Sequence, residues 1–312
     1  MTDEAGDATG DVLVLSNSGA GSAEGDVVAQ VCRELESCSS RRLDHRTPGS
    51  EEEYAAAVAS AVGRDVVVLG GDGSIHRFLK SVHDQDLLGR IGPVGVVPLG
   101  TGNDLARGAG IPLDAREAAR VALTGSTLER GLVVDDTGAV VVNVVHAGVA
   151  AEATAHAGDV KGVLGKAAYA WGALRAGLTS KGWHLHVTVD GEGTADDDRP
   201  EFMVTLALGT SVGGGTPVAP HARPNDGQVE VLVAHGVSPR ARVGFALDLR
   251  KGRHTRREDV TLTSGREIVV EAVADEDAFR VNTDGEVEQE RVTRRSWRLL
   301  DQGWTLRVPT SS

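Results

Sequence analysis

Residues 65–77 read DVVVLGGDGSIHR, and residues 94–107 read VGVVPLGTGNDLAR. Each stretch begins as a short apolar run, ends in glycines and an aspartate, and then continues in a helix-like pattern. Continuous apolar runs bounded by glycine are typical of parallel strands covered on both faces. The first third of the chain alternates strand and helix signals in this way, which predicts an α/β domain.

The elements around these two runs fit the same pattern. VLVLS at 12–16 is a buried-strand run, and residues 25–37 and 114–123 have helical spacing. SEEEYAAAVASAV has the acidic first turn of a helix, with Ser50 as its N-cap.

From about residue 129 the chain reads as strands joined by turn dipeptides such as DG, TG and SG, typical of mostly antiparallel β structure. Helical stretches around 160–178 and 239–250 interrupt this pattern. The tail WTLRVP is strand-like and is expected to return to the first domain. We therefore predict two domains, an α/β domain of residues 1–128 plus 296–312 and a β-rich domain of residues 129–295.

Composition excludes several classes of protein. The 312-residue chain is 40% hydrophobic and 25% charged, which is ordinary for a globular protein. Its net charge of −13 argues against a nucleic-acid-binding protein. No run approaches the ~20 apolar residues that span a bilayer, and the acidic start does not resemble a signal peptide. Cys32 and Cys38 indicate neither a disulfide framework nor a metal site, so a cytoplasmic location is expected.

The stretch RKGRHTRR at 250–257 is a local exception to the acidic composition. One interpretation is a solvated helix end and turn. The other is a surface patch that faces phosphate or a membrane. The lone histidines show no metal-ligand spacing and are expected to be strand residues with ordinary hydrogen bonds: His146, His184, His186 and His221.

Three glycine-rich turns follow strand-like runs: NSGAG (17–21), GGDGS (70–74) and GTGN (100–103). Such turns let backbone N–H groups approach a phosphate, and a helix that starts just afterwards adds its positive end. Ligands of open α/β sheets bind beyond the carboxyl ends of the strands, so the three loops can converge on one site. None of them matches the Walker or the strict dinucleotide fingerprint.

Two of these stretches contain a carboxylate, Asp72 and Asp104. An anion beside phosphates is unfavourable unless a cation bridges the two, so the pair indicates Mg²⁺ or its bound water. The alternative is that each aspartate caps the helix that follows it.

GGDGS followed by PLGTGNDLAR resembles the catalytic domain shared by diacylglycerol kinases, sphingosine kinases and their bacterial lipid-kinase relatives. The resemblance extends nearly end to end. NSGAG is similar to the family's N-P-x-S/A-G loop, with serine at position 18 in place of proline. Three later segments also resemble family motifs, at residues 164–174, 213–227 and 282–286. PLGTGND is highly specific, whereas GGDG also occurs in NAD kinases and phosphofructokinases.

The resemblance implies a nucleotide-binding α/β domain like that of NAD kinases and phosphofructokinases, a β-rich lipid-substrate domain, and an active site between them. It implies an ATP- and Mg²⁺-dependent transfer of the γ-phosphate to a lipid hydroxyl, that of diacylglycerol or a related lipid alcohol. Such an enzyme would contact a membrane surface transiently, and a homodimer is left open. Two alternatives stay open as well: an NAD kinase-like enzyme for a soluble substrate, and a catalytically silent nucleotide-binding regulator.

The same resemblance implies roles for individual residues. The ATP-contacting residues would be Asn17, Gly19, Gly21, Thr47, Gly70, Gly71, Asp72, Gly73, Ser74, Gly100, Thr101, Gly102 and Asn103. The residues of the Mg²⁺–water network would be Asp72, Asp104 and Glu129. A structural metal would be held by Asp226 with the carbonyls of Arg223 and Gln228, unless Asp226 only forms a turn.

Phosphoryl transfer to a hydroxyl requires a base, and a carboxylate of the second domain is the natural candidate. Asp284 and Glu286 of NTDGE are predicted for this role, with Asp72 as a further catalytic residue. The alternative for NTDGE is an ordinary hairpin turn. The small-residue helix at 161–178 could line a groove for the lipid, although such a stripe is more often core.

The chain departs from the family pattern at several positions. His76 and Arg77 stand where bacterial members have asparagine and glutamate, which reverses a charge near the phosphates. Glu129 stands in place of an aspartate, and Leu208 in place of an asparagine. The last two changes bear on the identity of the substrate more than on the reaction.

Overall fold

The computed structural model describes residues 11–17, 22–148, 151–152, 182–194, 199–223, 225–235 and 238–310. The predictions for Gly19 and Gly21 and for the helix around 160–178, with its motif at 164–174, lie outside these ranges. The described residues of 1–130 and 302–312 form one compact unit, and those of 131–301 form a second. Among the helices in these ranges, none is long and apolar enough to cross a membrane.

The first unit alternates strands and helices as the sequence predicts. Its elements are β1 (Val12–Ser16), α1 (Ser22–Cys38), β2 (Leu43–Arg46), α2 (Glu51–Ala59), β3 (Val66–Gly70), α3 (Asp72–Asp84), β4 (Val94–Pro98), α4 (Asp104–Gly108), α5 (Ala115–Thr124), β5 (Ser126–Arg130) and β18 (Trp304–Val308). The sheet has the order β2-β1-β3-β4-β18-β5, with parallel pairing from β2 to β18 and antiparallel pairing of β18 with β5. The expected return of the tail to this unit is confirmed.

Local sequence explains where these elements begin. The β1 and β4 side chains are buried along each strand, as expected for parallel strands covered on both faces. Ser50 caps α2 by accepting the Glu53 N–H at 3.2 Å, which confirms the predicted cap. Asp114 caps α5 in the same way, accepting two N–H groups of its first turn.

The second unit contains mostly antiparallel β structure, as the sequence predicts. Its elements are β6 (Val133–Asp135), β7 (Val140–Val141), β8 (Val144–Gly148), β9 (Leu185–Val189), β10 (Glu192–Gly193), β11 (Met203–Ala207), β12 (Val229–Ala234), α6 (Pro239–Leu249), a 3₁₀ turn (His254–Arg256), β13 (Val260–Gly265), β14 (Glu267–Ala272), a 3₁₀ turn (Asp275–Asp277), β15 (Val281–Thr283), β16 (Glu286–Val287) and β17 (Arg294–Leu299).

These strands form two sheets, with orders β10-β9-β14-β17-β6-β7 and β13-β12-β11-β8-β15-β16. Apolar side chains from both sheets share one core, for example Trp297 of the first and Val204 of the second. The predicted boundary at 295/296 falls inside β17, which pairs with β14 and β6 of this unit. The second unit therefore extends to residue 301.

Helix α5 lies directly on β4 because Gly95 has no side chain. A Cβ at this position would lie 2.5 Å from the Cβ of Ala122 and equally close to its carbonyl oxygen. Interiors are packed too densely to absorb such an overlap without a backbone shift. The glycine in VGVVP is therefore required by the packing of helix on strand.

Gly95→Ala is expected to lower the free energy of unfolding by about 1–3 kcal/mol, since an added methyl overpacks this contact. Urea denaturation measures the change. Gly25→Ala is the matched control, because Gly25 lies in α1 with nothing within 4 Å of an added Cβ. The control is expected to gain about 0.5–1 kcal/mol from helix propensity. A Gly95→Ala protein as stable as the wild type would contradict this packing argument.

Candidate functional site

The loops that follow β3 and β4 touch each other through glycine. A Cβ on Gly100 would lie 2.6 Å from the Cα of Gly71, so neither position has room for a side chain. The Leu99 N–H donates to the Gly70 carbonyl at 3.1 Å. The paired loops, as we call residues 70–74 and 99–104, therefore form one continuous backbone surface.

The Asp72 carboxylate is a second connection between the paired loops. Its two oxygens accept the N–H groups of Asp104 and Leu105, at 3.0 and 3.1 Å. These N–H groups belong to the first turn of α4, where they have no intrahelical partner. Asp72 thus caps a helix, but it caps α4 rather than α3, in which it is the first residue.

Asn103 shapes the second of the paired loops. Its backbone is left-handed, with φ of 53°, a conformation that asparagine tolerates better than most residues. Its side-chain oxygen accepts the Gly100 N–H at 3.0 Å, and its amide donates to the Gly100 carbonyl at 2.7 Å. The buried amide predicted to contact ATP is therefore engaged within the loop.

Residues that follow β1 and β2 lie beside the start of α3. The Asn17 amide donates to the Ser74 hydroxyl at 3.0 Å, in space left open because Gly70 has no side chain. The hydroxyl of Ser16 shares hydrogen bonds with Thr47 and His45, both at 2.9 Å. The structure thus brings together predicted nucleotide-contacting residues from the ends of three strands.

Glu129 does not join this group. Strand β5 is antiparallel to β18, and Glu129 pairs with Thr305. The next residue, Leu306, pairs with Val94 at the start of β4. The paired loops follow the other end of β4, about 13 Å away at ~3.3 Å per residue. The register therefore places Glu129 level with the start of β4, whereas the two loop aspartates lie beyond the other end of that strand.

The two loop aspartates, Asp72 and Asp104, are too few to enclose a metal ion without other ligands. Within the described ranges no group of three or more His, Cys, Asp or Glu side chains could hold an ion. Magnesium, however, commonly takes one or two carboxylates, several waters and substrate phosphates. Asp72 and Asp104 therefore fit an ion that is shared with a bound nucleotide better than a cage made by protein alone.

The predicted structural metal site is a hydrogen-bonded turn. The Asp226 N–H donates to the Arg223 carbonyl at 3.2 Å, and the Asp226 carboxylate accepts the Gln228 N–H at 3.0 Å. The Ser264 hydroxyl donates to the side-chain oxygen of Gln228. This geometry is the turn that the sequence offered as the alternative, and a metal there stays a prediction.

In the second unit, Asp284 occupies the turn between β15 and β16. Its carboxylate accepts three backbone N–H groups, from Val142, Asn143 and Val144, at 2.7–2.9 Å. Its backbone is left-handed, with φ of 50°. The segment is therefore the hairpin turn that the sequence offered as the alternative, with its aspartate fixed in place, and a catalytic role for it stays a prediction. Glu286 is exposed on the same hairpin.

A polar cluster that no sequence motif indicates lies on the sheet beside this hairpin. His146 pairs with Thr205 on one side and with Asn282 on the other, and paired residues share a face. His146 Nδ1 and the Thr205 hydroxyl are 3.0 Å apart. Burial lowers the pKa of His146 to about 4, so its ring is neutral at pH 7. Only the strand register, which is not readable from sequence, reveals this grouping.

Two departures from the family pattern have structural partners. The Arg77 guanidinium lies 3.8 Å from the ring centre of Tyr54 and pairs with Glu51 at 2.7 Å, so α2 engages its charge. Leu208 is buried, and its N–H donates to the Asn143 carbonyl at 2.9 Å. Neither arrangement could be deduced from the motif positions alone.

Comparison with protein families matches both units. Residues 11–133 match the model described as diacylglycerol kinase catalytic domain. Residues 143–297 match the YegS C-terminal NAD kinase beta sandwich-like domain. The chain is 26% identical to a Bacillus subtilis diacylglycerol kinase over 265 residues, covering 83% of this chain and 84% of that protein. It is 33% identical over 230 residues to the Pseudomonas aeruginosa protein named "Probable lipid kinase YegS-like", covering 71% of each.

Solved structures with low sequence identity share the fold. A diacylglycerol kinase from Bacillus anthracis superposes with a TM-score of 0.73 at 20% identity, covering 96% of each chain. An NAD kinase from Archaeoglobus fulgidus in complex with ATP gives 0.50 at 14% identity, covering 95% of this chain and 93% of that one. The predicted fold, an α/β domain like that of NAD kinases followed by a β-rich domain, is confirmed.

Asp284→Asn is expected to destabilise the protein by about 1–3 kcal/mol, because an amide offers one acceptor oxygen to N–H groups that now use two. Urea denaturation measures the loss. Glu290→Gln, at an exposed position shortly after the hairpin, removes the same charge and is expected to change little. Equal stability of the two variants would show that the three hydrogen bonds do not hold the hairpin.

Stability is also expected to depend on His146. Its folded pKa lies below the ordinary value of 6.5, so the unfolded chain takes up the proton first as the pH falls. His146 therefore costs stability progressively between about pH 6.5 and pH 4. Thermal midpoints at pH 7.5 and 5 should drop further for the wild type than for His146→Gln. His221→Gln, at an exposed position, should drop like the wild type. Equal drops for the wild type and His146→Gln would refute this.

Proposed function

The chain belongs to the family of diacylglycerol kinases and YegS-like lipid kinases, and we propose that it transfers the γ-phosphate of ATP to a lipid hydroxyl with Mg²⁺. The acceptor we propose is diacylglycerol or a related lipid alcohol. The observation that supports this proposal most strongly is the junction of the paired loops. There the Gly71–Gly100 contact and the Asp72 carboxylate make one backbone surface from the ends of two strands.

The paired loops suit the phosphates of a nucleotide. Helix α3 starts at Asp72, so its first N–H groups and the positive end of its dipole lie in the loop. No atom lies within 4 Å of a Cβ added to Gly73, which leaves a ligand room to approach the backbone. The hydrogen-bonded Asn17 and Ser74 side chains offer polar atoms beside this space. Phosphate binding at such helix starts is a general property of α/β folds.

The two loop aspartates are the residues we propose for magnesium. When bound, the ion would offset the negative charge of the phosphates during transfer. Asp72 remains fixed by two backbone N–H groups and would orient the ion's water shell rather than enclose it. Asp104 is 7% exposed, so its carboxylate is largely shielded from bulk water. Glu129, at the other edge of the sheet, has no part in this proposal.

For the proton of the acceptor hydroxyl we propose Glu286. The Asp284 oxygens already accept three backbone N–H groups, so this residue acts as the support of the hairpin. Glu286 is exposed and only two residues away, where it could reach a hydroxyl. Asp284 is thus a positioning residue, and Glu286 is the base.

The test is a lipid kinase assay read by mass spectrometry. The protein, ATP and Mg²⁺ are mixed with diacylglycerol, sphingoid bases or a bacterial lipid extract in detergent micelles. The wild type should form a phosphorylated lipid. Glu286→Gln should slow the reaction by about 10²–10⁴-fold, the usual contribution of general base catalysis, without a change in thermal midpoint. Glu290→Gln is the matched control and should retain the wild-type rate.

Other outcomes would replace the proposal. In the same assay with NAD as the acceptor, phosphorylation of NAD without any lipid product would indicate an NAD kinase-like enzyme. ATP binding without phosphorylation of either substrate would indicate a regulator. A wild-type rate in Glu286→Gln would reject the assignment of the base while leaving the lipid kinase reaction intact.

A further inference from the structure

Helix α6 exposes aliphatic side chains on its outer face. Val243 and Leu247 are 44% and 57% exposed, and their i, i+4 spacing places them side by side. The opposite face is buried, since Phe245 packs edge-on against Phe202 with ring centres 5.8 Å apart. The helix therefore presents an apolar stripe to solvent although its other side already fills the core.

Basic side chains border this stripe. Helical spacing puts Arg240 one turn before Val243 on the same face. Lys251 lies in the turn that follows the end of the helix at Leu249, and its N–H donates to the Asp248 carbonyl at 3.0 Å. The segment has five exposed basic residues that form no ion pair with the described residues: Arg240, Arg250, Lys251, Arg253 and Arg256. We call these five residues with Val243 and Leu247 the α6 surface.

The α6 surface rests on a rigid support. Arg257 pairs with Asp259 at 2.7 Å and with Asp248 of α6 at 3.0 Å, which ties the basic turn back to the helix. His254 is fully buried, and its Nε2 lies 2.8 Å from the Val218 carbonyl oxygen. The basic turn is therefore held by one buried contact, that of His254, and by two partly exposed ion pairs of Arg257.

The charge of this surface is opposite to that of the whole chain, which carries −13. A cationic cluster on an acidic protein attracts anions at one place, while the acidic remainder of the protein repels them. Aliphatic side chains between basic ones are the composition of helices that lie in a membrane interface, where the apolar face enters the acyl boundary and Lys and Arg meet lipid phosphates.

We propose that the α6 surface docks the protein on bilayers that contain anionic lipids. This inference rests on the proposed function, because a kinase of a lipid alcohol must reach a membrane to meet its substrate. Val243 and Leu247 insert among the lipids, while the basic residues contact the headgroups. Removal of either group weakens binding, since neither two aliphatic side chains nor a few charges hold a protein on a membrane alone.

Two other partners fit the α6 surface less well. A two-fold contact with a second copy would bring this basic cluster against itself. Nucleic acids attract basic side chains, but single strands are otherwise bound by stacking on aromatic rings, and the stripe is aliphatic. A bilayer is the partner that uses both the charge and the apolar pair.

The experiment is co-sedimentation of the full chain with vesicles of phosphatidylcholine, with or without 30 mol% phosphatidylglycerol, in the absence of ATP. The wild type should bind only the anionic vesicles. Val243→Asn/Leu247→Asn and Arg250→Gln/Lys251→Gln/Arg253→Gln should each bind at least about tenfold more weakly. The matched control is Arg33→Gln/Arg90→Gln/Arg298→Gln, which removes three exposed charges elsewhere and should bind like the wild type.

Lipid kinase activity on detergent micelles separates this inference from the proposed function. Activity in micelles together with equal vesicle binding by all variants would overturn the α6 surface and keep the kinase. Vesicle binding that only the α6 variants lose would support the surface, even if no lipid were phosphorylated. Binding to RNA but not to vesicles, or dimers that the α6 variants dissociate, would replace the bilayer as the partner.

Discussion

The Asp72 carboxylate is the interaction on which the rest of the candidate site depends. It accepts the first N–H groups of α4 from its own position at the start of α3, and so fixes the ends of two neighbouring strands relative to each other. The Gly71–Gly100 contact makes this possible, because any side chain there would hold the loops apart. The Asp72 carboxylate and the two glycines therefore join two separate loops into a single backbone surface.

The second unit uses the same physical device. Asp284 accepts three N–H groups of the segment that leads into β8, and so holds the hairpin that carries Glu286. The sequence points to chemistry at both aspartates, and both also organise backbone. A carboxylate that satisfies several N–H groups is difficult to replace, since an amide of the same shape leaves a donor without an acceptor. Rigid support of this kind is what a reaction that depends on positioning requires.

Local features were predictable from sequence. Strands β1 and β4, the Ser50 cap and the return of the tail follow from apolar runs, capping chemistry and strand propensity. Features that depend on register were not. Because β5 is antiparallel to β18, Glu129 lies level with the start of β4, away from the loops that follow β3 and β4. A motif match carries no information about that pairing. The sequence offers capping of the helix that follows as the alternative role of Asp72, yet the helix that Asp72 caps begins 32 positions later in the chain.

Hydrogen–deuterium exchange tests most directly whether the paired loops bind one nucleotide together. On addition of ATP and Mg²⁺, peptides covering residues 70–74 and 99–105 should both lose deuterium uptake, while residues 133–141 of the second unit serve as the reference. Asp72→Asn should weaken the protection of both loops, because an amide leaves one of the two α4 N–H groups without its acceptor. Unchanged exchange in either loop of the wild type at saturating ATP would contradict the account.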